Sequence, residues 1–265
     1  MDEVILITGA SAGIGRACAD RMHSRGWNVI GASRRGTSDG GWVPLAMDVD
    51  DDASVDAGFA TLLDRHDRLD AVVACAGWGL AGAVEDTPIG SAHQQMETNF
   101  WGAVRVVQRA LPVMRRHGRG RVVLISSIGG LLGLPFQAFY SASKFAMEGY
   151  GEALAHEVAP FGIEVTLVEP GNVRTDFTAN RRDVPVPADG AYAAVAAKAV
   201  DAMAADEADG VDPDRVATVV ERVLAGGRPP RRVSVGKFDE RIGIVAKRLL
   251  PYRVFERAAK GSLGV

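Results

Sequence analysis

The sequence predicts one doubly wound α/β domain, with three layers built around a seven-stranded parallel sheet. Two observations lead to this fold class: short apolar runs alternate with helix-length segments, and the runs are apolar at both of their alternating positions. Strands that are apolar on both sides are typical of a parallel sheet covered by helices on both faces. The predicted strands are Val4–Thr8, Asn28–Ser33, Trp42–Met47, Asp70–Ala74, Arg121–Ser126, Ile163–Val168 and Arg232–Val235.

Helix-length segments separate these strands. Strand–helix–strand alternation at this spacing predicts right-handed βαβ units, which bring the carboxyl ends of the strands to one edge of the sheet. A ligand is expected at that edge. The predicted helices are Gly15–Arg25, Asp51–Arg65, Ile89–His117, Tyr140–Phe161 and Val211–Leu224.

Length and composition limit the remaining possibilities. A chain of 265 residues favours a single domain over residues 1–265, and a net charge of −3 gives no attraction to nucleic acid. No apolar run approaches the roughly 18 residues of a membrane-spanning helix, and no signal-like segment precedes the first strand, so we expect a cytoplasmic protein. Cys18 and Cys75 lack metal-ligand spacing, so no metal site is predicted.

Two segments depart from the alternation. Residues 172–210 contain prolines and an alanine-rich run, which predict a mobile loop with a short helix that closes a largely apolar substrate face. The tail, about 238–260, alternates basic and apolar residues at helical spacing and is broken by Pro251. Such a helical tail could lie on a membrane surface or pack on the body or a neighbouring subunit; we favour packing.

A glycine-rich turn follows the first predicted strand. Gly9, Gly13 and Gly15 stand in the spacing Gly-x-x-x-Gly-x-Gly, directly before a helix. Glycines at such a junction let the backbone approach a pyrophosphate, which sits over the N–H groups of the helix N-terminus. A glycine cluster alone also suits close packing of strand and helix. Its place at the first strand–helix junction favours a Rossmann-like dinucleotide site.

The end of the second predicted strand bears on which dinucleotide is bound. NAD sites place an acidic residue there to bond the ribose, whereas NADP sites have a nearby arginine for the 2′-phosphate. Ser33 occupies the acidic position, and Arg34 and Arg35 follow it. The sequence therefore predicts NADP(H), with Arg34 as the principal phosphate ligand; the alternative is that both arginines are exposed loop charges.

Three residues form a candidate catalytic set. Ser127 ends a strand, and Tyr140 and Lys144 are four residues apart, so they share one face of a helix. An ammonium beside a phenol lowers the pKa of the phenol, which would suit Tyr140 for acid–base work on a carbonyl or alcohol. Ser127 can donate a hydrogen bond to the same oxygen.

These motifs together resemble the short-chain dehydrogenase/reductase family, over roughly residues 3–175. Thr8–Gly15, Asn99, Ser127, Tyr140–Lys144 and Pro170-Gly171 have the order and spacing of that family. Within it, the flanking residues 129–135, 144–149 and 168–171 resemble the hydroxysteroid and retinol dehydrogenase branch and its bacterial relatives.

The resemblance implies a role for each motif. Tyr140 would be the general acid in reduction, Lys144 would bind the nicotinamide ribose, and Ser127 would steady the substrate oxygen. Asn99 would hold a water that links Lys144 to solvent. Motifs and resemblance together place the cofactor against Gly9, Ser11, Gly13, Ile14, Gly15, Ser33, Arg34, Arg35, Asp48, Val49, Ala76, Gly77, Tyr140, Lys144, Pro170, Gly171, Val173 and Thr175, and the substrate against Ser127, Tyr140 and Phe177.

The expected protein is an NADP(H)-dependent carbonyl reductase or alcohol dehydrogenase. The resemblance also implies a homodimer or homotetramer, formed through the helices that hold Asn99 and Tyr140. One departure from the family is Ala74-Cys75-Ala76-Gly77, where an asparagine that braces the sheet is usual. A cofactor-binding regulator or scaffold without turnover is the alternative. A second alternative is a nucleotide-sugar epimerase or dehydratase, but such enzymes generally have a longer chain, and too few residues follow Pro170 for their sugar-binding domain.

Overall fold

The sheet confirms the predicted fold class. A computed structural model of the protein describes residues 3–186, 189–251 and 253–254. Seven strands pair in parallel in the order β3-β2-β1-β4-β6-β7-β9, and β5 pairs with β8 in a separate two-stranded sheet. The strands are β1 Val4–Thr8, β2 Asn28–Ser33, β3 Val43–Ala46, β4 Ala71–Ala74, β5 Leu80–Ala81, β6 Gly120–Ile125, β7 Ile163–Pro170, β8 Arg182–Asp183 and β9 Arg232–Val235.

Helices cover both faces of the seven-stranded sheet. One buried cluster joins the sheet to α2, α4 and α5, and a second joins its other face to α1 and α8. The strand order reverses between β1 and β4, where doubly wound folds form their ligand crevice. The helices are α1 Gly13–Ser24, α2 Asp52–Leu63, α3 Ile89–Met96, α4 Gly102–Arg116, α5 Ala138–Val158, α6 Phe177–Asn180, α7 Ala193–Ala208, α8 Pro213–Ala225 and α9 Phe238–Leu249.

Three predicted helices differ from the structure. The predicted helix Ile89–His117 is interrupted by a π-helical turn at Glu97–Trp101, so that α3 and α4 are separate elements. The predicted short helix within residues 172–210 is the 16-residue α7, because alanine is the residue that favours a helix most. Helix α8 begins at Pro213, since the Asp212 side chain caps its N-terminus.

The tail is described only in part. Helix α9 ends at Leu249, before Pro251, as expected for a proline that cannot continue a helix. The part of the predicted tail beyond residue 254 lies outside the described residues. Within the described part of the chain, no helix is both long and apolar enough to span a bilayer.

Candidate active site

A cleft of about 1650 Å³ runs along the carboxyl ends of the parallel strands. The segments that follow β1, β2, β3, β4, β6 and β7 all contribute to its wall. Every residue predicted to contact cofactor or substrate lines this cleft. The strand topology therefore brings together residues that lie far apart in the sequence, at the edge where a ligand was predicted.

The glycine-rich turn forms one end of the cleft. Gly9 and Gly13 have positive φ values of 69° and 53°, a conformation that side chains rarely adopt. A Cβ on Gly15 would lie 2.3 Å from the carbonyl oxygen of Gly9, so the close contact of strand and helix requires glycine there. The glycines of this turn therefore bring the backbone against the cleft.

The first turn of α1 suits an anion. Ala12 occupies the N-cap position without a side-chain hydrogen bond, and the first turn has no acidic residue. Its backbone N–H groups and the positive end of the helix dipole are therefore available to a pyrophosphate. Thr175 lies across this turn, about 3.3 Å from the Cβ position of Gly13. The residues present fit a nicotinamide dinucleotide.

The side chains at the end of β2 also fit a phosphate. Ser33 is buried, and its hydroxyl accepts a hydrogen bond from the Gly36 N–H at 3.2 Å. Arg34 and Arg35 are exposed, and both line the cleft. Arg35 also lines a smaller neighbouring pocket with Arg16. Arginine beside an uncharged residue at this position is compatible with the 2′-phosphate of NADP.

Ser127, Tyr140 and Lys144 converge in the middle of the cleft. The Ser127 hydroxyl lies 3.4 Å from the Pro170 carbonyl and accepts a hydrogen bond from the Gly129 N–H at 3.0 Å. Lys144 Nζ donates to the Ile125 carbonyl at 2.8 Å and lies 5.9 Å from the centre of the Tyr140 ring. Helix α5 thus presents the phenol and the ammonium to the end of β6.

The predicted lowering of the Tyr140 pKa is wrong for this arrangement. Burial raises the pKa of Tyr140 to about 12, while a hydrogen bond with Ser127 opposes the shift and the Glu207 charge adds to it. Lys144 is directed at the Ile125 carbonyl instead of the phenol oxygen, and burial lowers the pKa of its own ammonium to about 8. The phenol is therefore a proton donor at neutral pH, which suits reduction of a carbonyl.

Asn99 lies behind the cleft wall, fully buried in the π-helical turn. Its amide accepts a hydrogen bond from the Trp78 N–H and donates to the Trp78 carbonyl, both at 3.0 Å. A Cβ on Gly77 would lie 3.0 Å from Asn99 Oδ1 and 3.9 Å from Lys144 Nζ. Glycine at this position therefore lets the asparagine and the lysine approach each other. π-helical turns within α-helices are frequently found at functional sites.

Thr8 braces the segment after β4, where the family usually has an asparagine. Its hydroxyl oxygen accepts hydrogen bonds from the N–H groups of Cys75 and Ala76, at 3.0 and 3.1 Å. These bonds join the ends of β1 and β4 at the point where the strand order reverses. The Ala-Cys-Ala-Gly segment is thus braced from the neighbouring strand.

The substrate side of the cleft contains residues that the sequence did not single out. The Phe177 and Tyr140 rings meet edge to face, with centroids 5.9 Å apart. Around them the wall combines apolar side chains with charged residues of α7 and α9. Helix α9 comes from a distant part of the chain. The additional apolar lining residues are Leu132, Leu134, Pro135, Met203, Ile242 and Ala246.

A buried ion pair supports this wall. Arg181 bonds Glu207 and Asp183, both at 2.9 Å, and its side chain is 2% exposed. Glu207 also accepts a hydrogen bond from Thr178. These contacts tie α6 to the end of α7 beside Tyr140. Nothing in the sequence spacing identified the pair, because its members are joined only by the fold.

The fold and the site together define a dinucleotide-dependent oxidoreductase. The sequence profile described as short chain dehydrogenase matches residues 3–185, more than half of the chain. The chain belongs to the short-chain dehydrogenase/reductase family. It is an NAD(P)-dependent oxidoreductase that acts on CH–OH groups or the corresponding ketones.

Several known proteins are similar over nearly the whole chain. A 3-ketodihydrosphingosine reductase of Bacteroides thetaiotaomicron is 37% identical over 260 residues, or 97% of each chain. A short-chain dehydrogenase structure from Streptomyces avermitilis is 32% identical over 98% of each chain, with a TM-score of 0.85. A family member from Burkholderia phymatum in complex with NAD shares the fold, at 21% identity, 97% and 95% coverage of this chain and that one, and a TM-score of 0.80.

Proposed function

We propose that this protein is an NADP(H)-dependent reductase of apolar ketones, which also oxidises the corresponding secondary alcohols. The observation that carries the proposal is one cleft lined by Arg34, by Tyr140 and by a group of apolar side chains. Arginine at one end of this cleft fits a 2′-phosphate, and apolar residues at the other fit a hydrocarbon substrate. The phenol lies between these two regions.

Each polar residue has a distinct task in this proposal. The glycine turn, Arg34 and Lys144 bind and orient the cofactor, which supplies the hydride when bound. Ser127 donates a hydrogen bond to the carbonyl oxygen of the substrate, and Tyr140 gives its proton to that oxygen as negative charge develops. Asn99 keeps the Trp78 segment in place behind Lys144. We also propose that Asn99 holds a water molecule, which links the Lys144 ammonium to solvent.

The substrate is proposed to be a ketone on a long apolar chain. The apolar side chains of Leu132, Leu134 and Ile242 line the cleft beyond Tyr140. The name of the Bacteroides relative supports a substrate such as 3-ketodihydrosphingosine. The flanking motifs support a place in the hydroxysteroid and retinol dehydrogenase branch, so steroid ketones and retinoid aldehydes belong in the same comparison.

A panel of ketones and alcohols, followed by NADPH and NADH absorbance, tests this proposal. We expect turnover of long-chain or polycyclic ketones with NADPH and slower turnover of short polar ones. Binding of either cofactor without turnover of any panel member would favour the alternative of a regulator or scaffold. Faster turnover with NADH than with NADPH would contradict the proposed cofactor.

A further inference from the structure

Helix α9 (Phe238–Leu249) is fixed to the body of the protein by its inner face. The Glu240 carboxylate accepts a hydrogen bond from the Asn172 N–H at 2.8 Å, and Ile244 is buried. Lys247 Nζ lies 5.0 Å from the centre of the Phe145 ring. The helix therefore has a defined orientation, with one side turned to solvent.

The outer face of α9 is an apolar stripe. Phe238, Ile242, Val245 and Leu249 are 79%, 48%, 53% and 77% exposed. Their spacing of four, three and four residues places them within about 60° of the helix circumference. Single exposed apolar residues are ordinary, but four in one stripe mark a surface that contacts another apolar phase.

Basic residues accompany this stripe. Residues 237–254 contain five lysines or arginines and two acidic residues. Lys237 is paired with Asp209, and Lys247 donates to the Leu131 carbonyl on the inner side of the helix. Arg241 is exposed directly beside the stripe, and Arg253 is exposed beyond it. An apolar stripe with basic flanks is typical of helices that lie in the surface of an anionic bilayer. A second copy of the same segment would instead bring like charges together.

The stripe is continuous with the substrate cleft. Ile242 belongs to both, because it is half-exposed on the stripe and also lines the cleft. Ala246, on the same helix, lines the cleft together with Leu132. An apolar molecule that leaves a bilayer at α9 would thus reach the cleft along apolar side chains.

We propose that the apolar stripe of α9 docks this protein on an anionic membrane surface, so that apolar substrate enters the cleft from the lipid. In the docked state the axis of α9 lies along the membrane surface. The side chains of Phe238 and Leu249 insert between the lipids, and Arg241 contacts the anionic headgroups. Only the passage of substrate rests on the proposed function; the docking does not.

Vesicle flotation of the full chain tests the docking. The vesicles contain phosphatidylcholine alone, or with about one third phosphatidylglycerol to supply negative charge. We expect at least roughly tenfold stronger binding to the anionic vesicles, weakened by added salt because salt screens the charges. The double variant Phe238→Ser, Leu249→Ser should bind at least about tenfold more weakly. Arg241→Gln should reduce only the preference for anionic lipid.

Phe161→Ser is the matched control. Phe161 is also exposed, but it precedes β7 and so lies at the opposite edge of the sheet from the cleft. This variant should bind vesicles as the wild-type protein does. The docking is overturned if the wild-type protein stays with the soluble fraction, or if the double variant binds equally well. A lower oligomer mass of the double variant in solution would assign the stripe to a contact between copies instead.

Kinetics test the entry of substrate separately. With a water-soluble ketone, the double variant should have the wild-type kcat/KM, since neither Phe238 nor Leu249 lines the cleft. With a long-chain ketone held in anionic vesicles, its rate should fall at least tenfold. Equal rates would overturn entry from the lipid. Absence of turnover with every ketone would contradict the proposed function, and flotation would still decide the docking.

Discussion

Tyr140 is the residue on which the proposed chemistry depends. Replacement by phenylalanine removes the proton donor and keeps the ring that meets Phe177. We expect Tyr140→Phe to lower kcat for ketone reduction by about 10²-fold or more, the usual scale for a general acid, with NADPH affinity within a few-fold. Retention of more than about a tenth of kcat, with chemistry rate-limiting, would exclude this role.

Lys144 predicts the pH dependence of cofactor binding. Burial lowers the pKa of its ammonium to about 8, so the charged form is present below that pH and is lost as the pH rises through it. NADPH affinity should therefore fall above pH about 8. The pKa of Tyr140 is raised to about 12, and the phenol stays protonated over this range. Fluorescence titration of NADPH at a series of pH values measures the effect.

Lys144→Arg provides the control for this titration. Arginine keeps its charge at alkaline pH, so the decrease in NADPH affinity should disappear even if the affinity itself is lower. The same decrease in both proteins would assign the titration to another group. The variant separates loss of the ammonium from a general effect of alkaline pH.

The preference for NADPH over NADH depends on the residues at the end of β2. A hydrogen bond to a charged group contributes about 1.5–3 kcal/mol, so a single arginine contact implies a roughly ten- to hundredfold preference for NADPH. Ser33→Asp with Arg34→Ala should reverse this preference, because the carboxylate bonds the ribose and repels the 2′-phosphate. Arg35→Ala should have the smaller effect. Comparable wild-type dissociation constants for NADH and NADPH would contradict the assignment.

At the scale of elements, the segment from α6 through α7 is the candidate lid of the cleft. Helix α6 has four residues and β8 has two. The buried Arg181–Glu207 ion pair joins this part of the chain to α7. Short elements with few buried contacts open easily. We expect residues 176–207 to exchange amide hydrogens fastest among internal segments, and more slowly once cofactor and ketone are bound.

Hydrogen exchange with and without NADPH and substrate measures this change. Helix α8 is the internal reference, because Val216 and Val220 are fully buried in the cluster that joins it to α1. Its protection should stay constant while that of α6 and α7 rises. Equal protection of α6 and α7 in both states would make this segment an ordinary part of the scaffold.

At the scale of the whole molecule, we predict a homodimer or homotetramer through the helices around Asn99 and Tyr140. Trp101 and Phe145, on these helices, are 49% and 41% exposed, as expected for a face that another subunit covers. Trp101→Glu should place a charge in that contact and lower the mass measured by sedimentation equilibrium. Val43→Glu, on the edge strand β3, is the control and should leave the mass unchanged. A monomeric wild-type protein would contradict the prediction.

The pattern of residues was enough to predict the layered fold and the edge of the sheet at which the cleft forms. Apolar strands and the glycine turn indicate these features locally, because the apolar pattern along a strand and the freedom of glycine to adopt a positive φ are both properties of the local sequence. The spacing of Ser127, Tyr140 and Lys144 likewise indicated one catalytic set. The structure brings all three to the cleft.

Features that depend on contacts between distant segments could be seen only in the folded structure. The side chain of Asn99, in the π-helical turn, bonds the Trp78 segment, and no local propensity encodes this contact. The pKa of Tyr140 rises because burial outweighs the hydrogen bond with Ser127, and burial is a property of the packed molecule. The apolar stripe of α9 faces solvent since Ile244 and Glu240 anchor the opposite side. Periodicity showed that this helix has two faces, and only packing showed which one the body covers.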